Sequence, residues 1–144
     1  MARVGTSQRR LLACEGGMAA LEFALLAPAL LTLIFAIVIY SLYFSALLGV
    51  RHAAMEGARA AVAGLSTADR TALAQSRASA VMEAYGALLG SATPVISAAP
   101  DATGTFRVRV SQDMSGSAVM RYAAFVPLPS PTVSASVIVT NGSY

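Results

Sequence analysis

The longest interval without a charge decides how this chain is organised. Residues 23–50 contain no Asp, Glu, Lys or Arg. A helix rises about 1.5 Å per residue, and about 20 residues cross the hydrocarbon core of a bilayer. The run therefore predicts a membrane-spanning helix, long enough to tilt or to emerge beyond the bilayer. A buried helix in a globular core is the alternative, but cores rarely use an uninterrupted run of this length. Pro28 lies near the start of the run and is expected to bend the helix, neighbouring subunits or lipid absorbing the disturbance. After the run, Ala46, Ala53, Gly57 and Gly64 recur close to one face at helical spacing, so the helix is expected to continue. Small residues on one face let another helix approach closely, and alanine by itself favours helix.

The rhythm then changes. Gly64 and Ser66 mark a break, and Ser66, Thr67, Ala68 and Asp69 form a capping box for a new helix. Its expected apolar stripe is Leu73, Val81, Tyr85 and Leu88, with Arg70, Arg77 and Glu83 elsewhere on the surface. Residues 90–104, rich in Ser, Ala, Pro and Thr, read as a linker or long loop. Phe106, Val108 and Val110 alternate with Arg107, Arg109 and Ser111, the signature of a half-buried strand. Pro127, Pro129 and Pro131 bar a central strand, and Val133, Ala135, Val137 and Val139 alternate to give a second one. The expected fold class is α+β: a long N-terminal transmembrane helix, a second amphipathic helix and a small C-terminal antiparallel β part. So small a head is marginal alone and gains from packing against partners. No internal repeat is visible.

Composition sharpens the first reading. Of 144 residues, 56% are hydrophobic and only 12% charged, against about 25% charged in soluble domains. A fold this small could not hide that apolar surface from water. Arg3, Arg9 and Arg10 precede the uncharged run, opposed by Glu15, while Arg51 and Arg59 follow it with Glu56 between them. Cytoplasmic flanks carry the basic excess, so the N-terminus is expected inside and the bulk of the chain outside. The net charge of +3 is scattered, and every basic residue is Arg. That is not the dense basic stripe of a nucleic-acid binder. A cleaved secretory signal would have an apolar stretch of about 7–15 residues and a small-residue cut site. This run is about twice that length, and no A-x-A site closes it.

Residues for catalysis are scarce. His52 is the sole histidine, which excludes multi-histidine metal sites. Its position just beyond the apolar run suits an interfacial structural role. Asp101 and Asp113 read as isolated loop acids without metal-ligand spacing, and neither common phosphate-loop pattern occurs. The sequon at Asn141, Gly142 and Ser143 is taken as chance. No cofactor and no enzymatic activity are expected.

Glu22 is the informative polar residue. A carboxylate in a membrane helix is costly, less so near the ends. Standing alone it would simply snorkel to the interface. It stands instead in the series Cys14, Glu15, Gly16, Gly17, Met18, Ala19, Ala20, Leu21, Glu22, Phe23. A basic leader ends in glycine, four residues intervene, and Glu-Phe opens the helix. This arrangement resembles the prepilin processing signature in the form G-x-x-x-x-E-F of TadE-like pseudopilins of the tight-adherence (Tad) pilus system. A second patch, Arg51 to Ala60 with Glu56, Gly57 and Arg59, resembles that family's A-A-x-E-G-A-R stretch. The resemblance covers residues 9–64; beyond them it rests on layout.

The resemblance implies a minor pilin or pseudopilin-like structural component of Tad (type IVc) pilus assembly. A prepilin peptidase would cut after Gly17 and leave Met18 as the new N-terminus, glycine offering the protease an extended, unhindered backbone. The Met18 amine and Glu22 would then lie one helical turn apart, and in pilin assemblies the carboxylate is thought to pair with a neighbour's amine. Implied partners are other pilus subunits and pseudopilins, the peptidase and the inner membrane. The implied placing is a single pass, N-terminus cytoplasmic and C-terminal part periplasmic, with incorporation into the pilus a further expectation. The chain divides into a leader (1–17), a transmembrane helix continuing into an exported helix (18–64) and an exported α+β head (65–144). Losing the leader removes three Arg and one Glu, so the net charge falls from +3 to +1. Cys14, the single cysteine, would leave with it, so no disulfide would hold the exported part. A lipidation role for Cys14 fails on order, because it precedes the apolar stretch. The competing reading is a generic membrane-anchored exported adaptor in which Glu22 snorkels and Gly17 is never cut.

Overall fold

The computed structural model describes residues 15–140. The leader residues Arg3, Arg9, Arg10 and Cys14, and the sequon at Asn141 to Ser143, lie outside them. The fold class is α+β: a long apolar helix, a second helix and a three-stranded antiparallel sheet. The chain forms two compact units, divided between Val38 and Ile39.

The first helix, α1, spans Glu15–Ala61 and runs through Pro28. Four residues on, Thr32 Oγ1 donates to the Pro28 carbonyl at 2.8 Å. In the N-terminal unit its apolar side chains are exposed all round, Leu25 at 72% and Leu31 at 65%. A helix with no polar face and no protein cover needs an apolar solvent. Among the described residues, α1 is the one helix long and apolar enough to cross a membrane.

From Ile39 onward α1 has a buried side. Ile39, Tyr43, Ala46, Val50, Ala53 and Ala54 are buried, and Ala58 and Ala61 continue the stripe. These positions recur at spacings of three and four, one face of a helix. The small face expected from the sequence is thus the packed one: Ala46, Ala53, Gly57 and Gly64 are all buried. The helix ends by tightening, with Val62, Ala63 and Gly64 amides bonded three residues back. Glycine is required at 64, where a Cβ would lie 2.6 Å from the Arg70 nitrogen.

The second helix, α2, spans Thr67–Ala84 and opens with the expected capping box. Ser66 Oγ accepts from the Asp69 amide at 3.1 Å, and Asp69 Oδ2 accepts from the Ser66 amide at 3.2 Å. Its apolar stripe differs from the expectation. Ala74, Ala78 and Met82 are buried, Val81 and Tyr85 half-buried, and Leu73 is exposed. The helix packs too closely to α1 for a row of leucines, so alanines take the contact. A one-turn helix, α3, follows at Gly86–Leu89.

The stretch 90–104, expected to be a loop, contains a strand. Strand β1, Val95–Pro100, pairs antiparallel with β2, Thr105–Asp113, which pairs with β3, Thr132–Thr140. Among its described residues the head has three strands where two were expected. Ser, Ala and Pro carry little strand preference of their own, and β1 forms because the four-residue turn at 101–104 lays it against β2. It is an edge strand, the position that tolerates Pro100. Gly104 supplies the turn's positive φ of 73°.

The alternation expected for β2 and β3 holds. Phe106, Val108 and Val110 are buried, joined by Gln112, and β3 contributes Val133, with Ala135, Val137 and Val139 half-buried. These residues close the core against α1 and α2. Arg107, Arg109 and Ser111 occupy the other face of the sheet.

Candidate functional site

Two groups of residues singled out by the sequence fall in different units. Gly17, Met18, Glu22 and Phe23 lie in the N-terminal unit, on the first turns of α1, and all are exposed. Met18 and Glu22 are four residues apart in a helix and therefore share a face. The backbone at Gly17 is helical rather than extended, since Gly17 lies within α1. The helix is weakly favoured there, because Gly16 and Gly17 each cost about 0.5–1 kcal/mol relative to alanine.

The second group belongs to the C-terminal unit, and the structure brings it together. Glu56 is half-buried; its Oε1 lies 3.5 Å from an Arg59 nitrogen and its Oε2 3.4 Å from Arg77 on α2. Both arginines are exposed, so each pair contributes at most about 1 kcal/mol. Gly57 sits where α1, α2 and β2 converge. A Cβ there would stand 3.0 Å from the Ala74 carbonyl oxygen, 3.2 Å from Ala78 Cβ and 3.3 Å from Val108 Cγ1. Glu56 and Gly57 thus join α2 to α1, one by charge and one by the absence of a side chain. His52 is exposed.

Several contributors have no obvious mark in the sequence. Arg77 pairs with Glu56 across 21 residues of chain. Tyr40 donates its hydroxyl to the Pro127 carbonyl, and Tyr43 donates to the Ser130 carbonyl at 3.2 Å. Two tyrosines of α1 therefore hold down the proline-rich approach to β3. Asp101 is not an isolated loop acid. Arg107 Nε donates to its Oδ1 at 2.9 Å and Arg107 Nη2 to its Oδ2 at 2.6 Å, a two-pronged clip on the β1–β2 turn. Those hydrogen bonds, with the guanidinium charge, hold the Asp101 carboxyl below its usual value against a smaller opposing effect of desolvation. Asp113 Oδ1 accepts from the Ser115 amide at 2.9 Å.

A cleft of about 270 Å³ lies beside the end of α2, lined by Met82, Glu83, Leu89, Pro94 and Gln112 among others. Glu83 is the sole titratable side chain among its lining residues. Among the described residues, no three His, Cys, Asp or Glu side chains gather into a cation site.

No curated protein and no solved structure matches the chain. A family model does match, over the segment that holds both groups of residues. Proteins of that family are structural and associated with pilus components. The matched residues are 17–59, the family is described as TadE-like protein, and over that segment the chain is similar to that family.

Proposed function

We propose that the chain is a minor pilin or pseudopilin-like structural component of Tad pilus assembly, made with a leader (1–17) that a prepilin peptidase removes after Gly17. The observation that carries this reading is the order Gly17, Glu22, Phe23 at the head of a helix whose next turns are apolar on every side. A peptidase at the membrane surface needs a bond it can draw out beside a hydrophobic anchor. Unwinding the turn that holds Gly16 and Gly17 supplies it at low cost, because glycine favours helix weakly. The residues that remain are an anchor helix continuing outward (18–64) and an exported head (65–144), with pilus subunits as partners.

The adaptor reading draws its support from the helical backbone at Gly17, since a helical bond is a poor protease substrate. Intact mass of the membrane-extracted protein separates the two. The expected species lacks residues 1–17, and Gly17→Arg, which puts a long charged side chain at the cut, retains them. A wild-type chain still beginning at Met1 in cells that contain the peptidase would remove the pilin reading.

The orientation proposed is N-terminus cytoplasmic and head periplasmic, in a bacterial inner membrane. Three arginines in the leader, against its one glutamate, Glu15, support it. A reporter that works only in the periplasm is expected to be active when fused after Tyr144. Activity confined to a cytoplasm-dependent reporter would reverse the orientation.

A further inference from the structure

The connection between β2 and β3 is fastened to α1 at a telling position. The uncharged run begins at Phe23, and about 20 helical residues cross the hydrocarbon core. Counted along the helix, Tyr40, Tyr43 and Phe44 reach its far boundary. Their rings are in contact, Tyr40 with Phe44 at 6.3 Å and Tyr43 with Phe44 at 6.0 Å between centroids. Aromatic residues of this kind concentrate at the headgroup level. The hydroxyls of Tyr40 and Tyr43 bond the carbonyls of Pro127 and Ser130, so the connection is held at the same level.

The connection itself has the chemistry of an interfacial segment. Val126 is buried and Leu128 packs on the core, while Phe125, just before these anchors, is 77% exposed and Tyr122 41% exposed. From residue 114 to the end of the sequence there is no acid, and the single charge is Arg121. Within the connection itself a bilayer surface meets no carboxylate, and the adjoining Asp113, at the end of β2, already accepts from the Ser115 amide at 2.9 Å. A ring left this exposed beside well-packed neighbours has no partner in the core of the head.

We propose that this connection is a membrane-contacting foot, in which Phe125, flanked by Tyr122 and Arg121, rests in the headgroup layer of the bilayer that α1 spans. The occupant of the patch is phospholipid, and the proposal rests on the membrane-anchor reading of α1. The contact would fix the tilt and rotation of the head on the membrane before assembly. It also sets the polarity of the sheet. The β1–β2 turn lies at the opposite end of β2, a strand of nine residues and so about 27 Å away, and faces away from lipid.

The chain has no tryptophan, so one introduced at a time is a sole reporter. Full-length Phe125→Trp, Thr103→Trp and Leu31→Trp would be reconstituted separately into phosphatidylcholine vesicles carrying quenchers at shallow or deep positions. Thr103 lies in the β1–β2 turn and Leu31 within the uncharged run. Phe125→Trp is expected to emit to the blue of Thr103→Trp and to be quenched several-fold more by the shallow quencher. Leu31→Trp is expected to respond to the deep one. Quenching of Phe125→Trp no greater than that of Thr103→Trp, with Leu31→Trp quenched, would overturn the foot and leave the anchor standing. Leu31→Trp unquenched by either lipid would overturn both. Loss of the Phe125→Trp signal on adding Tyr40→Phe together with Tyr43→Phe would further support the tether, while an unchanged signal would remove the tyrosines from the account.

Discussion

Glu22→Ala is expected to insert into the membrane at least as well as the wild type and to lose most of its association with pilus subunits. Two opposite effects on one side chain produce that pattern. Insertion is eased because a charge is taken out of an apolar helix. Association is weakened because, under the proposed cleavage at Gly17, each subunit would present a positive Met18 amine one turn from position 22. Within one chain that amine is near its own carboxylate. Between chains, a pair satisfied across the interface fixes their axial register, since sliding by one turn leaves both charges unmatched in a poorly hydrated layer. Removing one member of a buried pair costs on the order of 3 kcal/mol, which is on the order of 100-fold in affinity. Glu22→Gln keeps the shape and some hydrogen bonding and is expected to fall between. The measurement is co-purification with pilus components, together with piliation, at matched membrane abundance. Normal association and normal pili in Glu22→Ala would leave interfacial snorkelling as the account of this residue.

The parts of this molecule that could be read from the sequence are those whose side chains differ sharply from their neighbours. The anchor is legible because a charge anywhere in residues 23–50 would have been visible, and none occurs. Strand β2 is legible because Arg107 and Arg109 interrupt Phe106, Val108 and Val110 with a period of two. The capping box at Ser66 is legible because a local hydrogen-bond pair needs a fixed spacing. What escaped depends on a partner. β1 is built from Ser, Ala and Pro, and only β2 beside it makes it a strand. On α2 the eye goes to Leu73, yet the contact is made by Ala74 and Ala78, since the separation of the helices sets which residues fit. Arg77 looks like any exposed arginine until α1 brings Glu56 alongside. The tyrosines at 40 and 43 read as part of an apolar run, and their hydroxyls gain meaning only when a loop from more than eighty residues away arrives with free carbonyls. The site shows the same division. The pattern Gly17, Glu22, Phe23 is a local one and was readable, whereas the helical state of Gly17 runs against the weak helix preference of glycine.

Gly57 lies at the point where this division can be tested. Sequence resemblance marks it as part of a family stretch with Glu56 and Arg59, and the structure gives it a packing reason. Glycine inside a helix normally costs about 1 kcal/mol relative to alanine, so Gly57→Ala would ordinarily stabilise. Here the added methyl meets the Ala74 carbonyl oxygen at 3.0 Å, and that backbone cannot rotate away as a side-chain tip could. The gain in helix propensity and the loss in packing oppose each other, and Gly57→Ala is expected to be no more stable than the wild type. Gly57→Leu has no such balance. Its side chain must force α1 away from α2 and β2 and open the contacts of Ala74, Ala78 and Val108. Overpacking of this kind costs about 1–3 kcal/mol or more, and in a domain of this size each kcal/mol moves the melting temperature by roughly 4–8 °C. Gly86 provides the control, because a Cβ there meets nothing within 4 Å, so Gly86→Ala is expected to leave the head intact. The three variants would be compared in detergent by thermal unfolding of the head and by protease sensitivity of residues 62–140. Membrane insertion should be equal in all three, since the uncharged run 23–50 is untouched. A Gly57→Leu protein that melts with the wild type but no longer binds pilus subunits would show that position 57 faces a partner rather than α2.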